Sequence, residues 1–124
     1  MPDAKLAPFA GQKYISLETF KKNGDGVKTP VWFVLHEGAL YVYTEADSWK
    51  VKRIRNNPRV RVAACTVRGQ VKGPWLEGTA SLVEGGERRA ADQRLNQKYF
   101  LKRIFNVLTW LNRHERAMIK IQPA

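Results

Sequence analysis

The strongest constraint on this chain is a pair of short runs, TPVWFVLH (29–36) and ALYVYT (39–44), separated only by Glu37 and Gly38. Both are rich in β-branched and aromatic residues, which suit a pleated, half-buried surface. The Glu-Gly step turns the chain between them and makes them hairpin partners. Just before, KYISLETFKK alternates around Tyr14, Ile15, Leu17 and Phe20, and Asn23-Gly24 and Asp25-Gly26 are turn signals. Residues 13–44 therefore predict a three-stranded antiparallel meander. Pro30 is placed at the start of its middle strand, where a missing N–H is tolerated.

A short helix follows. Thr44 and Asp47 have capping-box spacing, Ser48 is a second possible N-cap, and Asn56-Asn57-Pro58 ends the helix. RVRVAACTV reads as a strand with Val60 and Val62 on one face, and GPWLEGTASLVE as another, broken by Gly78. Gly85-Gly86 opens a polar helix to about Lys98. In YFLKRIFNVLTWLNR, Phe100, Leu101, Ile104, Phe105, Val107, Leu108 and Leu111 share one broad arc, opposite Lys102, Asn106 and Thr109. Its basic rim fits a membrane-surface helix, and its apolar arc fits a core- or dimer-facing one, which is the expectation adopted. AMIKI alternates and is a last strand. About six strands with few crossover helices predict a mainly β chain, an antiparallel sheet closed or nearly closed into a small barrel.

With 124 residues and a 44% hydrophobic fraction, the expectation is one globular domain over 1–124, with 1–11 as a loosely held arm. The arm lacks a signal-peptide h-region, no run approaches a membrane span, and Cys65 stands alone in VAAC. These readings favour a reducing, cytoplasmic location and a small buried role for Cys65.

Catalytic constellations are missing. His36 and His114 lie far apart without metal-ligand spacing, and Glu18, Glu77, Glu84 and Glu87 suggest no pair. No metal is expected, and chemistry, if present, belongs to a bound cofactor. The net charge of +11 favours an anionic partner. Its densest stretch, SWKVKRIRNNPRVR (48–61), carries six Lys or Arg and no acid. On a helical wheel Lys50 and Arg53 are neighbours beside Val51 and Ile54, Lys52 points to the far side, and Arg55 is lateral. With Thr44, Ser48 and the helix-start amides, Lys50 and Arg53 form a pocket for one small anion. A nucleic-acid face and a plain solvated face stay open as alternatives, although no groove-length array or exposed aromatic series supports the former.

GDGVKTPVWF, LYVYTEADSWKVKRIRNNPRVRV and GPWLEGTA together resemble the pyridoxamine 5'-phosphate oxidase-like split β-barrel family, most closely its short deazaflavin (coenzyme F420)-dependent branch. The resemblance runs from about Tyr14 to the last strand. It implies a six-stranded split barrel that forms a homodimer, with two cofactor sites at the subunit interface. Thr29, Pro30, Val31, Trp32, Phe33 and Val34 would lie along the ring of F420 or FMN, largely through backbone. Tyr43 and Thr44 would sit near the cofactor tail, Ser48, Trp49 and Lys50 would form the phosphate-binding turn, and Arg53 joins them from the wheel. Gly73, Pro74 and Trp75 would reach the cofactor from the other subunit, while Trp32 and Trp110 are read chiefly as packing residues.

There are two departures from the pattern. Trp49 replaces a residue that is small in many relatives. The chain also ends at IKIQPA, without the substrate-binding segment of true pyridoxamine phosphate oxidases, so vitamin B6 oxidation is not expected. The implied activity is hydride transfer between F420 or FMN and a small organic substrate. The alternatives are a non-catalytic flavin, deazaflavin or haem carrier, and a basic nucleic-acid-binding domain.

Overall fold

The computed structural model describes residues 5–98 and 116–124. The expected helix over 99–113 lies outside the described residues. β1 (Tyr14–Phe20), β2 (Gly26–Trp32), β3 (Val34–His36), β4 (Ala39–Glu45), β5 (Arg59–Cys65), β6 (Leu76–Val83) and β7 (Arg116–Pro123) form a single sheet in the order β2-β1-β5-β6-β7-β4-β3. All its pairings are antiparallel. Two helices accompany it, α1 (Trp49–Asn56) and α2 (Gly85–Lys98).

The expected meander is not what forms. TPVWFVLH is broken at Phe33 into β2 and β3, so there are seven strands rather than six. β1–β2 and β3–β4 are two hairpins at opposite edges of the sheet. Since only Phe33 separates the two edge strands, the sheet must curl until its edges meet. That topology is the split barrel: strands closing on themselves, with a seam between β2 and β3 where the ladder is interrupted. Phe33 itself is fully buried at the seam and meets Phe9 edge-on, ring centroids 6.3 Å apart. Residues from Leu6 onward are therefore not a loose arm, since Leu6 and Phe9 are both buried in the barrel core.

Strand alternation sorts the side chains. Ile15, Leu17, Leu40, Val42, Val60, Val62, Ile119 and Ile121 fill the barrel, and α1 adds Val51 and Ile54. On the outer face, Val34, Ala39, Tyr41 and Met118 meet Ala91 and Leu95 of α2. Cys65 is buried as expected, and desolvation raises its thiol pKa. Gly78 does not break β6. It pairs with both Val60 and Pro123, and a Cβ there would stand 2.7 Å from the Gln122 carbonyl oxygen, so glycine is what lets β7 approach. Pro30 lies inside β2, not at its start. Its cross-strand partner is Ser16, and its missing N–H is tolerated because β2 is an edge strand.

Candidate anion-binding site at the start of the first helix

Ser48 has extended dihedrals (φ −68°, ψ 155°), and its Oγ accepts a long 3.5 Å bond from the Val51 N–H, which makes it the N-cap of α1. Thr44, the other candidate cap, is within β4 opposite Ala117. The next two amides, of Trp49 and Lys50, are among those a helix start leaves without intrahelical partners. Val51 and Ile54 bury one arc of α1 against β1 and β6. This orientation settles where the cations go.

Arg53 donates from Nε to Thr19 Oγ1 at 2.6 Å, and Thr19 is fully buried on β1. Lys50 is half-buried beside it. Desolvation lowers the pKa of its ammonium, the charge of Arg53 lowers it further, and Glu45 acts more weakly in the opposite sense. Neither Lys50 nor Arg53 forms an ion pair among the described residues. Two like charges at i, i+3, partly desolvated, with Glu45 acting only weakly on Lys50 and no ion pair to either, are an unfavourable arrangement that an anion would relieve.

The rest of the basic run is spent differently. Arg59 pairs with Glu77 at 2.8 Å and Arg61 with Glu18 at 3.2 Å. Lys52 lies over the Trp49 ring, 4.5 Å from its centroid, and Arg55 is exposed. The acids missing from the run arrive from β1 and β6; of the four cations left without an ion pair among the described residues, Lys52 and Arg55 are exposed and Lys50 and Arg53 are partly buried.

The site continues onto the edge strand. Thr19 pairs with Val27, so Arg53 is anchored across from Val27, and Thr29 and Val31 follow on the same barrel side of β2, opposite Leu17 and Ile15. Pro30, Trp32 and Val34 alternate to the outer face, and Trp32 and Val34 belong to the cluster under α2. Tyr43 packs on that same outer cluster, whereas Thr44 shares the inner parity of Leu40 and Val42. Tyr43 and Thr44 therefore present their side chains to opposite faces of the sheet. Gly73, Pro74 and Trp75 lie ahead of β6. The Trp75 ring is 5.2 Å from the Lys28 ammonium and 4.9 Å from the Arg61 guanidinium, on the outer face of the same chain and not beside Lys50.

Three contacts escaped sequence reasoning. Thr19 carries no motif. The Tyr41 hydroxyl donates to Glu87 Oε2 at 2.6 Å, and Lys120 reaches the same oxygen at 2.7 Å, which pins the first turn of α2 to β4 and β7. Burial first, then Glu87, pushes the Tyr41 phenol up to about 12. Lys98 donates to the Phe33 carbonyl at 3.0 Å, at the seam, and burial lowers it to about 8. A pocket of 440 Å³ lined by Leu6, Leu35, His36, Glu37 and Arg94 lies at the far end of β4 from Ser48. It mixes both charge signs and shares no residue with the Lys50–Arg53 pair. Among the described residues no group of three or more His, Cys, Asp or Glu is placed to hold a metal.

The pyridoxamine 5'-phosphate oxidase family profile matches residues 1–124. The chain belongs to that family. Its fold is shared with Rv2991 of Mycobacterium tuberculosis, a conserved hypothetical protein, at 21% identity and a TM-score of 0.74, covering 99% of this chain and 81% of that one. It is shared with a heme binding protein of Mycobacterium smegmatis at 16% identity and a TM-score of 0.73, covering 97% and 50%. The heme storage protein HutZ of Vibrio cholerae matches at 18% identity and a TM-score of 0.66, covering 99% and 89%. No curated protein matches the sequence. Among the described residues no helix is long and apolar enough to cross a membrane.

Proposed function

We propose that this family member binds the phosphate of F420 or FMN at Lys50 and Arg53 and acts as an oxidoreductase on a small organic substrate. The observation that carries the reading is the half-buried cation pair with no ion pair among the described residues, next to the amides of a helix start. Ser48 orients the helix start, Thr19 fixes Arg53, and Arg53 and Lys50 supply the charge. The edge strand β2 supplies a backbone rail along which a planar ring can lie. When bound, the flavin or deazaflavin supplies the hydride chemistry, and the chain binds and orients it. This division fits a site with no catalytic acid–base pair. A homodimer over the 1–124 domain would bring Trp75 of one subunit toward the ring held by its partner.

The test is titration of the purified protein with FMN and with F420, followed by absorbance and calorimetry. Saturable binding that weakens in Lys50→Met supports the reading, and no binding of either removes it. A haem carrier is the second reading, favoured by the haem-related names of two structural neighbours. It predicts a Soret band on haem addition, with no turnover when a reductant is supplied.

A further inference from the structure

Trp49 is 70% exposed, the most exposed of the large apolar side chains among the described residues, and it sits between Ser48 and Lys50. An indole left in water forgoes the burial that makes aromatic side chains stabilising. Its surroundings are not neutral. The Lys52 ammonium, 4.5 Å from the ring centroid, covers one face. On the helix surface Lys52 at i+3 and Arg53 at i+4 flank Trp49 on opposite sides. Lys52 leaves the other face uncovered, and on the helix Arg53, which Thr19 holds in place at 2.6 Å, and then Lys50 follow on the side away from Lys52. The barrel contact of α1 lies on the other arc, at Val51 and Ile54. An anion held by Lys50 and Arg53 thus has the indole on its solvent side.

A terminal phosphate would leave that face bare. A phosphate esterified outward to a second, ring-bearing unit would cover it. We propose that Trp49 is a stacking platform for a planar group attached to the outer side of the bound phosphate. The site then prefers ligands with a second ring beyond the phosphate over simple phosphomonoesters. This rests on the phosphate-site reading above and narrows its ligand, since FMN ends at the phosphate and offers no second ring.

FMN and FAD carry the same flavin and differ only in the adenosine phosphate beyond the FMN phosphate, so they are the probes. Isothermal titration of the full chain is expected to show FAD binding about tenfold tighter than FMN, the effect of one base–aromatic stack. Trp49→Ala collapses that ratio to near one, and Trp49→Phe, which keeps a ring, retains most of it. A wild-type ratio of one, or a ratio that survives Trp49→Ala, overturns this proposal alone. Binding of neither flavin by the wild type overturns the phosphate site and this proposal together. A change in sedimentation on Trp49→Ala with an unchanged ratio assigns the indole to a subunit contact and equally overturns the proposal.

Discussion

Replacing Lys50 with Met is expected to stabilise the ligand-free protein while weakening its hold on phosphate. Lys50 is half-buried, without an ion pair among the described residues, and depressed in pKa by desolvation and then by Arg53. Met keeps the aliphatic stem that covers the barrel end and removes the charge. Relief of a like-charge contact at i, i+3 contributes ~0.2–0.5 kcal/mol, and ending the partial desolvation brings the total to roughly 0.5–1 kcal/mol after screening. For a chain of this size that is a rise in Tm of about 2–5 °C. The same change removes a charge-assisted hydrogen bond to the ligand, worth about 1.5–3 kcal/mol, or about ten- to a hundredfold in affinity. The assay is thermal unfolding with and without inorganic phosphate, and with FMN. Wild-type Tm should rise with ligand, and the Lys50→Met Tm should start higher and respond less. Arg55→Gln, on the exposed flank, is the control and should change little. A Lys50→Met protein that melts lower than wild type, or that binds phosphate as well, refutes the reasoning that this charge is retained for a ligand.

Gly78→Ala puts a Cβ 2.7 Å from the Gln122 carbonyl oxygen, and the β6–β7 pairing must shift to admit it, at a cost of about 1–3 kcal/mol by denaturant unfolding. Tyr41→Phe removes the 2.6 Å bond to Glu87 and should destabilise by about 1 kcal/mol, with loss of the phenol that titrates at about 12 in an alkaline absorbance titration. Lys98 has its folded-state pKa depressed from the usual 10.5 to about 8, so between those values the unfolded chain binds more protons and stability rises with pH. Lys98→Met should flatten that rise in pH-dependent unfolding, and in the wild type an amine reagent at pH 8 should label Lys98 ahead of the exposed lysines.

Strand and helix identities were largely local. Runs of Val, Ile, Tyr and Phe, Gly-containing turns, Ser48 and Asn57-Pro58 carry backbone preferences that act within a few residues, and most of the elements they predicted are present. The wheel also placed Lys50 beside Arg53 correctly, because side-chain direction on a helix follows from spacing alone. Other features depended on residues distant in sequence. Phe33 had no local reason to break a run of strand-formers. It does so because the barrel must join its two edges, and Phe9 and Lys98 hold the seam there. Gly78 read as a break and is a close approach, visible only once β7 lies alongside. The basic run looked uniform until Glu18 and Glu77 came from other strands to neutralise Arg61 and Arg59.

By itself, then, the sequence determined the local conformations, the inward and outward parity of each strand, and a net charge of +11. The tertiary structure alone decided which charges remain uncompensated, since ion pairing depends on distances of a few ångströms between residues far apart in the chain. It left Lys50 and Arg53 half-buried with no ion pair among the described residues, and Trp49 exposed beside them.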